Sequence, residues 1–357
     1  MSTHPLYSHL KFIAYPDRLD ALLHGELAAP VHVRIKPYNH CNHDCWYCAY
    51  RMSSVQIGGG MDTSEALPET KMYEIVEDLI EMNVAAVTFS GGGEPLLYKP
   101  LPKVIKRLYE GGIKVGSLTN ASNLKGAMAD SFAEYGTWLR VSIDAVDGEH
   151  YGKVRGISNN EFGRVLRNME QFAARGSSCV LGVSFIICHE NHHQVYEACR
   201  LFKQIGVHNV SLSGVYVEND GAQSNAYHDE IRSSVEEQIE RAQRELVDAK
   251  YQINDNYGEL NTRFDMDFHS CPFLQFQTVI GADGIVYTCH DKAFTEGGKL
   301  GSILERSFKD FWFSEENRQK IYAIDPAKDC KHHCGSRSRN ELILEYLGLD
   351  REHITFV

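Results

Sequence analysis

Along most of the chain, short apolar runs rich in β-branched residues alternate with longer stretches in which apolar residues return every three or four positions. The runs VHVRIK, AAVTFS, KVGSLT, WLRVSI, VLGVSFII and VSLS read as strands over 31–36, 85–90, 114–119, 138–143, 180–187 and 210–213. Helical periods fill 68–82, 100–110, 124–135, 161–175 and 194–205. The first opens on Pro68-Glu69, where proline suits a first helical turn and an acidic side chain complements the helix dipole. Six such repeats predict parallel βα units, an α/β chain with a partial (β/α)6 TIM-like barrel over 31–250 behind an N-terminal extension of 1–30. A charged helical stretch over 228–250 is expected to close the barrel with a mainly solvated face. Beyond 251 the pattern changes to short strands punctuated by Gly and Asp (FQTVIGADGIVYTC), with Ala282-Asp283-Gly284 as a hairpin turn. This predicts a small α+β domain over 251–357.

Composition narrows the class without naming a chemistry. Hydrophobic residues make up 43% of the 357 positions and charged residues 24%, ordinary globular values that argue against disorder or a fibrous class. The formal net charge of −12 gives a long-range field that repels phosphate backbones and anionic membranes, so neither nucleic acid nor a membrane is expected as a partner. No apolar segment follows a basic N-terminal stretch, and no window is long enough to cross a bilayer, so a cytoplasmic location is expected. Ten cysteines without an export signal then point to metal or redox chemistry more than to disulfides.

Their grouping carries the argument. Cys41, Cys45 and Cys48 fall on one loop after the first strand, at the strand end where barrels place chemistry. Three thiolates on one turn can wrap a face of an iron–sulfur cubane and leave the fourth iron open to a ligand. Zinc is the competing reading, because His40 and His43 stand close enough in sequence to add a nitrogen. Gly91-Gly92-Gly93-Glu94-Pro95 follows the second strand, where glycines let backbone approach a ligand and Glu94 offers a carboxylate to a cationic amine. Near the other end, Cys271 and Cys289 flank the predicted hairpin and Cys330 and Cys334 follow as C-x3-C. A four-cysteine structural zinc remains open there as well.

The spacing C-x3-C-x2-C, with the aromatic Tyr47 before its last cysteine, resembles the signature of the radical S-adenosylmethionine (SAM) superfamily. The glycine-rich turn with Gly92, Gly93 and Glu94 resembles that family's GGE motif, which holds the amino group of SAM. The resemblance further implies that Ser142 and Arg155 contact the carboxylate or ribose of SAM, with Asp144 beside them and Asn120 lining the same cavity. The sixth strand fits the family pattern only in part, since Glu218 falls one position late. The C-terminal cysteines are similar to those of SPASM/twitch domains, and four of them match the shorter form with one auxiliary [4Fe–4S] cluster. Saturated by four thiolates, that cluster is expected to carry electrons.

The resemblance implies cleavage of SAM to a 5′-deoxyadenosyl radical, with an external electron donor such as flavodoxin or ferredoxin. A saturated auxiliary cluster suits net oxidation, as in dehydrogenases of this superfamily that act on aminocyclitols. The expected substrate is therefore a sugar-like, aminocyclitol-like or other polar small molecule. About thirty residues before the barrel leave little room for a peptide-recognition domain, though a peptide maturase stays an alternative. Another is an epimerase in which Cys188, at the end of the fifth strand, donates a hydrogen atom. Cys179 and Cys199 read as core residues.

Overall fold

The computed structural model describes residues 8–55, 58–258, 264 and 266–356. Its strands are β1 (His32–Ile35), β2 (Ala86–Phe89), β3 (Lys114–Thr119), β4 (Trp138–Ser142), β5 (Val180–Ile187), β6 (Asn209–Gly214), β7 (Gln252–Asp255), β8 (Gln277–Ile280), β9 (Ile285–Tyr287) and β10 (Lys299–Ser302). Helices α1 (Pro16–His24), α2 (Glu69–Glu81), α3 (Leu101–Glu110), α4 (Gly126–Tyr135), α5 (Gly148–Arg155), α6 (Asn160–Ala173) and α7 (Val195–Ile205) accompany the first half. The rest are α8 (Gly221–Asp229), α9 (Arg232–Leu246), α10 (Phe308–Trp312), α11 (Glu315–Ala323), α12 (Pro326–Asp329) and α13 (Arg337–Leu347). One sheet holds all ten strands in the order β10-β9-β8-β1-β2-β3-β4-β5-β6-β7, and neighbours from β8 to β7 run parallel. The α/β class and the six expected βα repeats are present.

Three features differ from the expected elements. The charged helix expected over 228–250 is shorter, running as α9 from Arg232 to Leu246 with the separate helix α8 before it, and it buries Val235, Ile239, Ala242 and Leu246 as a narrow stripe while most of its charged residues face solvent. A seventh parallel strand, β7, follows it. Its sequence QIND has one buried apolar position, Ile253, so alternation alone carries no signal and pairing with β6 decides its conformation. Helix α5 was also not anticipated, although Asp147 caps it by accepting from the His150 backbone N–H at 2.9 Å.

The hairpin turn forms where expected, with Gly284 at φ +68° and Asp283 accepting from the Ile285 amide. Its strands do not form a separate sheet: β8 pairs with β1 in parallel, His32 to Gln277 through Ile35 to Ile280, so the C-terminal segment extends the barrel wall. At the other end of the chain, Phe12 and Leu19 bury against Phe276 and Ile343, docking the N-terminal segment onto α13.

The two faces of the sheet differ in kind, and that difference positions the site. Val33, Ile35, Val87, Phe89, Leu139 and Val141 point outward into one core with Met72, Ile75, Leu79 and Val104 of the helical layer. Each such side chain contributes about 1.5–3 kcal/mol on full burial. Strand period two sends the alternate residues inward, and many of these are polar, among them His32, Arg34, Thr88, Arg140, Ser142, Ser184, Ser211 and Asn254, beside the apolar Leu118, Trp138, Ile186 and Val279. At the bottom of this lumen His32 Nε2 lies 2.7 Å from Thr88 Oγ1 and its Nδ1 2.6 Å from Gln277 Nε2, joining β1, β2 and β8. Burial, with Arg34 acting in the same sense, pushes His32 down to about 3, so it is a neutral tie. Trp138 lies across β3 because Gly116 has no side chain; a Cβ there would sit 2.1 Å from the indole.

Candidate active site

The cysteine loop leaves β1 at Lys36 and carries Cys41, Cys45 and Cys48 at the top of the barrel, all partly exposed thiols. Backbone bonds fold it into a compact turn: Cys48 N–H donates to Cys45 O at 3.1 Å, and Asp44 N–H to Arg155 O at 3.0 Å. Asn120, at the end of β3, reaches across with its amide nitrogen 3.9 Å from Cys41 Sγ and 2.9 Å from Asn42 Oδ1. His43, a possible zinc ligand by sequence, is turned elsewhere. Its Nδ1 lies 2.5 Å from the Asn120 amide and its Nε2 3.3 Å from the Tyr151 hydroxyl, and burial followed by Arg155 holds it down to about 4.

The glycine-rich loop after β2 lies directly under this turn. Gly93 N–H donates to Tyr38 O at 3.1 Å and Glu94 N–H to His40 O at 2.9 Å. A Cβ on Gly93 would stand 2.0 Å from His40 O, and one on Gly92 2.3 Å from Asn39 Oδ1. These glycines therefore permit close approach of loop to loop, a role that spacing alone did not distinguish from approach to a ligand. Glu94 is buried, and its carboxylate accepts from Leu96 N–H at 3.0 Å, Thr119 Oγ1 at 2.6 Å and Asn120 N–H at 2.7 Å. It thereby locks the ends of β2 and β3 together. The next residue, Ala121, is held left-handed at φ +58°, a conformation that costs a non-glycine residue about 1–2 kcal/mol.

Burial raises the Glu94 carboxyl above its ordinary range, opposed by the bonds from Asn120, Thr119 and Leu96. Because the folded state then holds the proton more tightly than the unfolded chain, this group's contribution to stability declines as pH rises from about 4.3 through the folded value. Glu94→Gln is expected to remove that slope. It should also cost about 1–3 kcal/mol in denaturant unfolding, because the new amide opposes either the Asn120 or the Leu96 donor. Unchanged stability with an unchanged pH slope would contradict this role.

Below the cysteine loop sits a buried ionic group. Asp144, at the end of β4, accepts from the Ile186 amide at 2.7 Å, from the Tyr47 hydroxyl, and forms a salt bridge with Arg155 of α5. Burial raises the Asp144 carboxyl and Arg155 opposes it. Arg155 also directs Nη1 to Cys45 Sγ at 3.5 Å and lies 5.7 Å from the Tyr47 ring centroid. Ser142, one turn below on the lumen face, is partly exposed. Cys188 ends β5 on the same face but is fully buried with Val154 and Val215 against Trp46 and Tyr47. Tyr47, Gly92, Gly93, Glu94, Asn120, Asp144 and Arg155 thus surround the cysteine loop, with Ser142 at its lower margin.

The other four cysteines converge too. Cys271, Cys289, Cys330 and Cys334 line one cavity together with Phe268, Asp291, Lys292 and Asn340. Asn340 Nδ2 stands 3.5 Å from Cys271 Sγ, and Asp291 accepts from the Gly335 amide at 2.9 Å. Among the described residues no three His, Cys, Asp or Glu side chains are gathered tightly enough for a single ion. Cys179 and Cys199 are buried in the main core, as expected.

Between the two cysteine sets lies a contact that the sequence did not disclose. Lys36 is fully buried, with Nζ 2.5 Å from the Tyr50 hydroxyl, 2.8 Å from Gly91 O and 3.3 Å from His290 Nδ1. Tyr50 follows Cys48 by two positions and His290 is next to Cys289, so one lysine links the glycine loop and both cysteine segments. No helix among the described residues is long and apolar enough to cross a membrane.

Comparison with known proteins agrees with this geometry. Residues 35–202 match the radical SAM superfamily and residues 271–335 match an iron–sulfur cluster-binding domain, SPASM. A SAM-dependent nucleotide dehydratase of Lacinutrix mariniflava is 33% identical over 114 residues, covering 32% of this chain and 23% of that protein. A pre-heme d1 synthase of Dinoroseobacter shibae is 28% identical over 211 residues, covering 57% of this chain and 48% of its own. The chain thus spans less than half the length of either. The crystal structure of Streptococcus suis SuiB bound to SAM shares the fold, with a TM-score of 0.62, 18% identity and coverage of 85% of this chain and 70% of that one. The two matched domains imply a catalytic and an auxiliary [4Fe–4S] cluster together with SAM. A barrel with three thiols on its first loop, continued into a wall with four more, belongs to the radical S-adenosylmethionine superfamily and bears a C-terminal SPASM-type iron–sulfur domain.

Proposed function

We propose that Cys41, Cys45 and Cys48 hold the catalytic [4Fe–4S] cluster, that Cys271, Cys289, Cys330 and Cys334 hold the auxiliary one, and that the enzyme oxidises a polar small molecule. The carrying observation is the polar lumen directly beneath the cysteine loop, walled on its β8 side by the segment that bears the second set. Iron–sulfur clusters rather than zinc are supported at both places by the match of the first segment to the radical SAM superfamily and of the second to an iron–sulfur cluster-binding domain.

When bound, the catalytic cluster and SAM supply a 5′-deoxyadenosyl radical. The chain's own residues then bind and orient. Tyr47, Gly92, Gly93, Glu94, Asn120, Ser142, Asp144 and Arg155 form the SAM cradle, with Glu94 and Asp144 fixing its walls through the bonds described above. Lumen side chains hold the reacting carbon below it. With both groups bound, the net change in the substrate would be the loss of one hydrogen atom, one electron and one proton, the hydrogen acceptor being supplied by SAM and the electron acceptor by the cluster that Cys271, Cys289, Cys330 and Cys334 would hold. The proposal includes a cytoplasmic location and a flavodoxin- or ferredoxin-type protein as the donor of the first electron.

The test uses anaerobically reconstituted full-length protein. It should hold about eight irons per chain and release 5′-deoxyadenosine from SAM under reducing conditions. With substrate, the product should be lighter by two hydrogens. Stoichiometric zinc without iron would refute the reading. A product isomeric with substrate and carrying solvent deuterium would instead establish epimerisation by Cys188. That second reading draws on the position of Cys188 beside Tyr47 on the lumen face. Its complete burial fits a filler of the core, so Cys188→Ala is expected to retain product formation within a few-fold. Loss of product with SAM cleavage preserved would reverse that ranking.

A further inference from the structure

The chain carries a formal charge of −12, yet among the described residues two arginines stand on the inward face in the middle of its barrel. Arg34 of β1 and Arg140 of β4 both lie on the inward parity. Arg34 is level with Thr88, Gly116 and Trp138 through the register of four adjacent strands, and Arg140 stands two residues above Trp138. The wall between them is low, because Gly116 has no side chain and Trp138 lies flat across it. The Arg140 guanidinium is 5.7 Å from the Trp138 ring centroid.

Arg34 lacks the partner that a charge in such a place requires. Its Nε is buried without a hydrogen-bond partner, and among the described residues no carboxylate forms a salt bridge with it. The acidic side chain that acts on it, Asp291, is already committed to the Gly335 amide at 2.9 Å and stands 3.7 Å from His333 Nε2. Burial lowers the Arg34 guanidinium from its ordinary value, with Tyr50 and Asp291 opposing and Arg140 acting in the same sense as burial. A guanidinium that is largely buried, its Nε without a partner and no anion beside it, is costly, and its planar donors match a carboxylate or a phosphate. Lys36 on the same face cannot substitute, since its Nζ is taken up by Tyr50, Gly91 and His290.

We infer that Arg34 and Arg140 form an anion subsite in the lumen, so that the substrate carries a carboxylate or phosphate group anchored below the SAM cradle. This deepens the small-molecule reading above and rests on it. Aminocyclitols, which are cationic at neutral pH, and unmodified sugars are thereby disfavoured. The anchor also gives the radical step its geometry, because a fixed anion sets how far up the lumen the rest of the substrate extends.

Isothermal titration calorimetry of the anaerobic holoenzyme with inorganic phosphate, succinate and neutral myo-inositol tests the inference. One site per chain should bind phosphate or succinate with a dissociation constant below about 1 mM, the tighter of the two identifying the source of the anion, and myo-inositol should give no heat. Arg34→Gln and Arg140→Gln should each weaken the anion by at least about tenfold. Arg164→Gln, on the exposed face of α6 and paired with Glu161, should bind as the parent does. If Arg34→Gln does not fold, Arg140→Gln on its separate strand decides, and Arg34→Lys should retain part of the affinity. Absence of anion binding by the parent, or unchanged affinity in the folded arginine variants, overturns the subsite. Holoenzyme that cleaves SAM but binds no anion refutes this inference alone, whereas anion binding without SAM cleavage refutes the proposed function alone.

Discussion

Cys45→Ala is expected to reduce 5′-deoxyadenosine formation by roughly a thousandfold or more, because the difficult chemistry belongs to the cofactor that this loop is proposed to hold. The same variant should retain about four of about eight irons, since the C-terminal thiols line a separate cavity on the other side of Lys36. Cys289→Ala should show the converse loss of iron while the first loop keeps its own. The Cys45 sulfur receives the Arg155 guanidinium, so alanine there removes a proposed cluster ligand and the focus of the local charge together. Iron analysis with low-temperature electron paramagnetic resonance of each variant checks the assignment. If Cys45→Ala lost all iron, or kept SAM cleavage within tenfold, the division of the seven cysteines into three and four would be wrong.

The second large effect concerns folding. Arg155→Met leaves Asp144 buried beneath the cysteine loop without its counter-charge, and breaking a buried pair on one side costs about 3–5 kcal/mol. Asp144→Asn leaves the Arg155 guanidinium without its counter-charge in turn, a loss offset in part because an amide can still accept from the Ile186 N–H. The double variant, Asp144→Asn with Arg155→Met, should recover part of the loss, since no uncompensated charge then remains. Urea unfolding of the four proteins closes this cycle. Strict additivity of the two single losses would mean that the pair does not interact, contrary to the geometry. Methionine at 155 should also leave the cysteine turn less well fixed, because the Arg155 backbone that receives the Asp44 amide sits at the end of α5.

Several parts of the site were readable from residues alone, and each for a physical reason. Three cysteines within eight positions must share a loop whatever the fold, so Cys41, Cys45 and Cys48 needed no tertiary information. The glycine turn after β2 and the Gly284 hairpin were equally local. The expectation that Glu94 faces a cosubstrate amine was made on the motif; the structure adds that its carboxylate already accepts three protein donors. Helix α5 escaped notice although Asp147 followed by Glu149 is an N-terminal signal, because its apolar spacing is weak. Strand β7 could not be found by alternation at all.

What the sequence by itself determined was therefore everything that depends on near neighbours: the βα rhythm, the outward apolar face of each strand, the three-thiol turn and the hairpin carrying Cys271 and Cys289. Tertiary structure alone decided which distant segments meet. The parallel pairing of β8 with β1 brings His290 to Lys36, and curvature of the sheet turns Arg34 and Arg140 into one lumen although 106 positions separate them. Side-chain parity along a strand is local, but whether the inward face is filled, wet or charged depends on how all the strands close around it, and no single segment contains that information.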